Sequence, residues 1–331
     1  MDKATEPLVS IVTPVYNNVE HFTQCIESVL SQTYQNWEYI IVNNCSTDGS
    51  AEIAHRYAKK DPRIRVLDNE TFLRAVPNHN HSLRQISRES KYLKIVFADD
   101  WIFPRCLEEM VALAEQCPTA GIIGAYGLQG VEVNVKWAGL PYPVHLISGR
   151  ELCRRYFFER LYVFGTSHSV LFRADLVRSH DPFFNESNLH ADREICLVLL
   201  TKCDFAFVHQ VLTFTRERLG SLTAFAREMN TMIAAELYEL VTYGHDYLTD
   251  QEYKKYLNRL LSEYYNFLAV RLVQGRRDER FWQLHKRKFA DAGIRFSRLR
   301  LFRAVVVRIL RAVLHPHETV AKMTHRGAQI V

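Results

Sequence analysis

Short β-branched runs alternate with amphipathic stretches through roughly the first 126 residues. Leu8–Val15, Trp37–Val42 and Tyr92–Phe97 each place four or more apolar residues in a short run, the pattern of a buried strand. Between them, Glu20–Gln32 carries Phe22, Ile26, Val29 and Leu30 at helical spacing. Ala51–Lys59 and Leu83–Glu89 show the same periodicity, and Pro104–Gln116 opens with a proline suited to a first helical turn. Strands that alternate with helices predict βαβ units, an α/β fold with a mostly parallel sheet flanked by helices in the Rossmann manner. Ligands of such sheets sit at the carboxyl ends of the strands.

Further along, Ala120–Ala138 reads as a hairpin, with Gly127 and Gly130 near its turn. Ser148 to Glu151 matches a capping box and predicts a helix to about Phe158. A strand is expected at Ser167–Phe172 and a helix at about Ala191–Lys202. From Ala224 the pattern is helical to the end, with breaks expected near Gly244, Gly275 and Gly293. A domain boundary near Gly220 divides an α/β region, 1–220, from a helical region, 221–331.

The chain has 331 residues, and its 47% hydrophobic and 24% charged content is that of a globular protein. No apolar run approaches the roughly 20 residues needed to span a bilayer. The N-terminal residues lack the pattern of a secretory signal. Seven scattered cysteines form no C-x-x-C pair, which argues against a disulfide framework or structural zinc and fits a reducing cytoplasm. Charge changes the picture at one end. Residues 276–311 hold twelve basic side chains against three acidic ones, a local +9 within a chain of net charge +5. Within that stretch, Phe296–Leu314 places Phe296, Leu299, Phe302, Val306, Ile309, Leu310 and Val313 along one helical side, among arginines. This suits either an interfacial helix on an anionic membrane, touching it through 295–314, or a helix packed on the α/β region. No nucleic-acid motif accompanies the basic tail, so a nucleic-acid partner is not expected.

Four stretches carry chemistry. Thr13, Pro14, Tyr16 and Asn17 follow the first strand and offer a planar stacking face and amide groups; they equally suit a loop with a helix N-cap at Asn17 or Asn18. After the second strand, the Asn44 amide oxygen can accept the N3–H of a pyrimidine, while Ser46, Thr47 and Asp48 form an N-cap signal. Asp99 and Asp100 follow an apolar strand directly. The two carboxylates cannot both be buried and unpaired, so either they hold a hard divalent cation, Mn²⁺ or Mg²⁺, that keeps substrate phosphates in its shell, or they are an ordinary surface pair. Asp192 and Glu194 lie where a helix begins, so Asp192 is either a functional acid or an N-terminal helix acid with Glu194 its solvated neighbour.

In this order, VSIVTPVYNN, SVLSQTY, IIVNNCSTDGS, VFADD with PRCLEEM, and LHADREICLVLL resemble the family 2 glycosyltransferases of the GT-A fold, over about residues 7–220. The resemblance implies an inverting transfer of one sugar from a nucleotide-diphospho-sugar, a UDP- or dTDP-sugar, to a hydroxyl of a glycan or lipid-linked acceptor. It implies that Thr13, Pro14, Tyr16 and Asn17 line the nucleoside pocket and that Asn44 binds the base. It further implies that Asn80 faces the donor, that Asp99 holds its ribose or sugar side, that Asp100 ligates the metal, and that Asp192 is the general base. Arg216 and Arg218 stand as cations to close over the phosphates, or as solvated loop arginines. Two departures stand out: Asn43 and Asn44 replace the usual aspartates, and Ala98 replaces a carboxylate often found in the metal motif. They favour a rival reading, a non-catalytic sugar-nucleotide-binding scaffold, which retention of Asp100 and Asp192 opposes. The Q-x-x-R-W motif of processive polysaccharide synthases is absent from the sequence.

Overall fold

The N-terminal apolar run forms β1 (Val9–Val15), buried along its whole length, and helix α1 (Val19–Leu30) follows directly after the loop 16–18. A computed structural model describes residues 6–130, 134–217 and 222–314. The chain divides into two compact units, Met1–Gly220 and Ser221–Val331.

In the first unit, β2 (Trp37–Asn43), α2 (Ser50–Ala58), β3 (Ile64–Asp68), α3 (Ala75–Leu83) and β4 (Tyr92–Ile95) complete the parallel half of the sheet. The remainder is β5 (Trp101–Ile102), α4 (Cys106–Gln116), β6 (Ala120–Gln129), β7 (Asn134–Lys136), β8 (Leu146–Ile147), α5 (Gly149–Glu159), β9 (Val170–Arg173), α6 (Ala174–Arg178), α7 (Ala191–Leu199) and β10 (Asp204–Thr215). The strands order as β3-β2-β1-β4-β9-β6-β10-β5, with β7 on β6 and β8 on β10. β1 pairs in parallel with β2 on one side and β4 on the other, so the chain reverses direction across the sheet beside β1. That reversal opens a crevice at the strands' carboxyl ends. β9 is antiparallel to both β4 and β6, which lets β6 and β10 run parallel to β1.

Val9, Ile11 and Val15 of β1 pack with Phe22, Ile26 and Val29 of α1, the stripe expected from spacing. Removing this much apolar area from water is the principal term holding the layer down. The helix expected over Leu83–Glu89 lies instead at Ala75–Leu83. Pro77 is tolerated there because it falls in the first turn. Asn78 and Asn80 are buried in this helix against intrinsic propensity, so tertiary hydrogen bonds hold it. β3 and β10 have no counterpart among the predicted elements.

The second unit comprises α8 (Leu222–Met229), α9 (Met232–Tyr247), α10 (Asp250–Val273), α11 (Glu279–Asp291) and α12 (Arg298–Leu314). Thr249 and Glu252 close a capping box that starts α10. Helices do end at Gly275 and Gly293, but α9 runs through Gly244, which lacks a side chain because a Cβ there would meet the Tyr253 ring 3.1 Å away. His285 sits fully buried between the Tyr264 hydroxyl (2.6 Å) and the Met229 carbonyl (3.1 Å). Phe296, expected on the same helical side as Leu299 and Phe302, packs in the bundle against Tyr265 and Phe289.

Candidate active site

The loops after β1 and β2 are zipped together at the mouth of the crevice. Asn17 takes a left-handed conformation (φ 45°), which asparagine tolerates better than most residues. Its backbone N–H donates to Ser46 Oγ (3.1 Å), and its Oδ1 accepts from the Thr47 N–H (2.8 Å). Asn18 N–H donates to Ser50 Oγ (2.9 Å). The Asp48 carboxylate accepts from Val19 N–H (2.8 Å) at the start of α1 and from Ser50 N–H (3.0 Å) at the start of α2. One anion thus sits across two positive helix ends. Partial burial opposes its ionisation, but the hydrogen bonds from Ser50 and Val19 outweigh that and hold its carboxyl below the ordinary range. The N-cap position of α2 is Gly49 at φ 98°, a conformation that costs a side-chain-bearing residue strain.

Thr13 and Pro14 lie inside β1 and are buried. Thr13 Oγ1 donates to the Val96 carbonyl (2.7 Å) and sits 2.9 Å from the Tyr39 hydroxyl, tying β1, β2 and the end of β4 together. Its side chain therefore faces the sheet interior, beside Cys25, whose thiol burial pushes up to about 12. Tyr16 is 49% exposed, and its ring meets Phe72, itself 55% exposed, at 4.8 Å. Asn44 holds that second ring's loop: its Oδ1 accepts from Leu73 N–H (2.9 Å) and Asn69 Nδ2 (2.9 Å), and its Nδ2 donates to Leu73 O (2.8 Å). An amide oxygen has two lone pairs, so the atom expected to meet a pyrimidine already carries two hydrogen bonds.

Beyond β4 the chain turns, with Asp100 N–H donating to Phe97 O (3.0 Å). Asp100 is buried, and its Oδ1 accepts from Arg216 N–H (2.7 Å) at the end of β10. Arg216 Nε donates to the Asp99 carbonyl (3.0 Å), and Nη2 to Gln24 of α1 (2.8 Å). The guanidinium lies 5.3 Å from the Trp101 ring centre, and Trp101 stacks flat on Phe214 at 3.7 Å. β5 and β10 fix that stack by pairing Trp101 with Phe214. Arg216 is thus a strut of the carboxylate turn rather than a solvated loop arginine; Arg218 lies outside the described residues.

Asp192 stands in the first turn of α7, half-buried, its Oδ1 accepting from Arg193 N–H (2.9 Å). Glu194 is buried, not solvated: it accepts from Asn185 Nδ2 (3.1 Å) and Asn188 Nδ2 (2.7 Å), holding the loop into α7. Arg193 Nη2 donates to the Tyr156 hydroxyl (2.5 Å). Asn80 grips the same loop from α3. Its Oδ1 accepts from Phe184 N–H (2.8 Å), and its Nδ2 donates to Phe184 O (2.9 Å) and Glu186 (3.1 Å). Next to it, the His79 ring stacks on Phe97 at 5.5 Å, two residues before Asp99. α3 therefore links the loop that leads into α7, whose first turn carries Asp192, to the turn bearing Asp99 and Asp100. Asn80's amide is spent on this link. Phe72, Gln24, His79 and Trp101 have roles here that no local motif signals, since each depends on a partner far along the chain.

No group of three or more His, Cys, Asp or Glu side chains among the described residues is arranged to hold a metal alone. The donor set still fits Mn²⁺ or Mg²⁺ in one mode. Such ions take one or two carboxylates and complete their shell with substrate phosphates and water, which Asp99 and Asp100 at the crevice permit.

The family model for glycosyl transferase family 2 matches residues 10–179. The putative glycosyltransferase EpsE of Bacillus subtilis is 34% identical over 152 residues, covering 44% of this chain and 54% of EpsE. An uncharacterized glycosyltransferase of Haemophilus influenzae is 28% identical over 188 residues, covering 56% of this chain and 58% of that protein. The chain spans about half the length of these curated relatives. Among solved structures, S. aureus TarS 1–349 in complex with UDP-GlcNAc aligns with a TM-score of 0.63 and 16% identity, over 86% of this chain and 80% of that one. The mannosyltransferase PcManGT of Pyrobaculum calidifontis, in complex with GDP-Man and Mn²⁺, aligns with a TM-score of 0.54 and 14% identity, over 97% and 84%. At these identities the likeness is one of fold, the GT-A fold. The matched stretch runs from β1 to just past α6 and holds both carboxylates of the turn, and the chain belongs to glycosyl transferase family 2.

Proposed function

We propose that the protein is an inverting glycosyltransferase. It moves one sugar from a nucleotide-diphospho-sugar, a UDP- or dTDP-sugar, to a hydroxyl of a glycan or lipid-linked acceptor in envelope polysaccharide synthesis, and works in the cytoplasm with Mn²⁺ or Mg²⁺. The observation that supports this reading is the α3 link, which ties the loop leading into α7 and Asp192 to the segment leading into the Asp99–Asp100 turn.

In this reading the nucleoside lies against Tyr16 and Phe72, with Asn17 and Asn44 fixing the two loops that present them, and Thr13 and Pro14 forming the strand beneath. Asp99 faces the ribose or sugar side. Asp100, with Asp99 beside it, would hold the metal, which when bound neutralises the charge of the departing diphosphate. Arg216 keeps Asp100 oriented through its backbone N–H and adds positive charge nearby; Arg218 follows two residues on. Asp192 takes the proton of the acceptor hydroxyl as that oxygen attacks the anomeric carbon from the face opposite the nucleotide.

Asp192→Asn removes the base and keeps the shape. Turnover should fall by about three orders of magnitude or more, with donor affinity by calorimetry within about twofold. Near-normal turnover in that variant removes Asp192 from the mechanism. A wild-type chain that binds donor with Mn²⁺ but neither transfers nor hydrolyses the sugar is the scaffold of the rival reading.

A further inference from the structure

Helix α12 exposes a face that the catalytic reading leaves unused. Its inner side, Leu301, Ala304 and Val305, is partly buried along α10, and its first turn is tied down by Ser297 N–H donating to the Tyr265 hydroxyl (2.7 Å). At about 100° per residue, Ile309, Phe302, Val306, Leu299 and Leu310 fall within one arc of about 100° on the other side. All five are exposed, Phe302 to 65% and Leu299 to 58%. Isolated exposed apolar residues are ordinary on a protein surface, but a contiguous stripe of this kind marks an interaction site. Arg298 and Arg303 border the arc, and Arg300 and Arg308 are exposed beyond it.

We infer that the outward face of α12 docks on an anionic lipid leaflet, with Phe302, Leu299, Val306, Ile309 and Leu310 entering the headgroup–acyl boundary and the arginines pairing with lipid phosphates. Charge selects this occupant. Between Asp291 and Glu318 the sequence has six arginines and no acidic residue. A second copy of the face would set arginine against arginine, whereas an anionic surface complements both the charge and the apolar stripe. The helix lies on the membrane and does not cross it: no helix among the described residues is long and apolar enough to span one. The inference is independent of the sugar chemistry.

The test is sedimentation of the full chain with vesicles of phosphatidylcholine alone and of phosphatidylcholine mixed with phosphatidylglycerol. The chain should pellet with the mixed vesicles, be released as salt is raised, and stay in solution with the neutral ones. Phe302→Asp with Leu310→Asp should weaken partitioning on the order of tenfold or more. Arg298→Ala, Arg300→Ala and Arg303→Ala together should do so to a similar extent. Both variants should keep the wild-type thermal melt, because the altered side chains are exposed. Three results would each overturn the inference: no pelleting of the wild type, pelleting that ignores lipid charge or either variant, or concentration-dependent dimers that Phe302→Asp abolishes.

Discussion

At the scale of single residues, Asp48 shows how one side chain can organise two loops. Its carboxylate serves the first turns of both α1 and α2, so its loss exposes orphan N–H groups on each. Asp48→Ala should lower stability by about 1–2 kcal/mol, read as a lower urea midpoint at unchanged slope. Its carboxyl is held low in the folded state, so the part of that contribution that depends on its charge is present above the unfolded carboxylate value near 4 and is lost as pH falls from there through the lower folded value. Asp100 is a different case, because its proposed work depends on a ligand. Asp100→Ala should weaken donor binding with Mn²⁺ present and bring it near the affinity of the wild type in chelator. Unchanged affinity with metal present would count against the site.

Among the elements, α3 is the least conventional and the most informative. Ala75–Leu83 carries a proline, two asparagines and two histidines, a composition no periodicity argument favours, and the predicted helix is accordingly displaced. What holds it is Asn78 bonded to Asn69 in the preceding loop and Asn80 reaching Phe184 about a hundred residues on, the latter information absent from any local window. Asn80→Ala leaves the Phe184 N–H without its side-chain acceptor and should cost about 2 kcal/mol of stability. It should lower kcat more than it raises the KM for donor, because the loop it grips leads to α7 and Asp192. Equal effects on donor affinity and turnover would deny it that positioning role. β3 is hard to read for another reason: Ile64–Asp68 is half exposed and interrupted by arginine, so its alternation is faint. β10 is long and apolar, but register shifts around Val208 to Thr213 break its period. By contrast β1 and β2 are legible because they are buried on both faces and read as near-continuous apolar runs, and α1 and α4 because each buries one face. The motifs at their ends could be read as well, since strand-end chemistry needs few residues in fixed order. The partners that orient those motifs, Phe72, Gln24, Trp101 and Asn69, could not.

For the whole molecule, buried titratable groups set the response to acid. Lys94 is fully buried, with Nζ donating to His168 O (2.6 Å) and Val170 O (3.2 Å). His168 is equally buried, and burial together with the Lys94 charge pushes its imidazole down to about 3. The unfolded chain binds a proton near pH 6.5, so below that value it holds more protons than the folded one. Stability should therefore fall as pH drops from about 6.5 toward 3, with His168 alone costing about 2 kcal/mol by pH 5. His79 and His285 are likewise pushed down by burial to about 4, so His168→Leu should shrink but not abolish the difference between urea midpoints at pH 7 and pH 5, and an unchanged difference would mean other groups carry it.

The docking proposed for the stripe on α12, combined with the proposed lipid-linked acceptor, has a kinetic consequence. A chain held on a leaflet meets a lipid-borne acceptor by diffusion in two dimensions, so its rate follows the acceptor's mole fraction in that leaflet rather than its bulk concentration. Adding acceptor-free anionic vesicles should then slow transfer while the total concentrations of protein, donor and acceptor stay fixed.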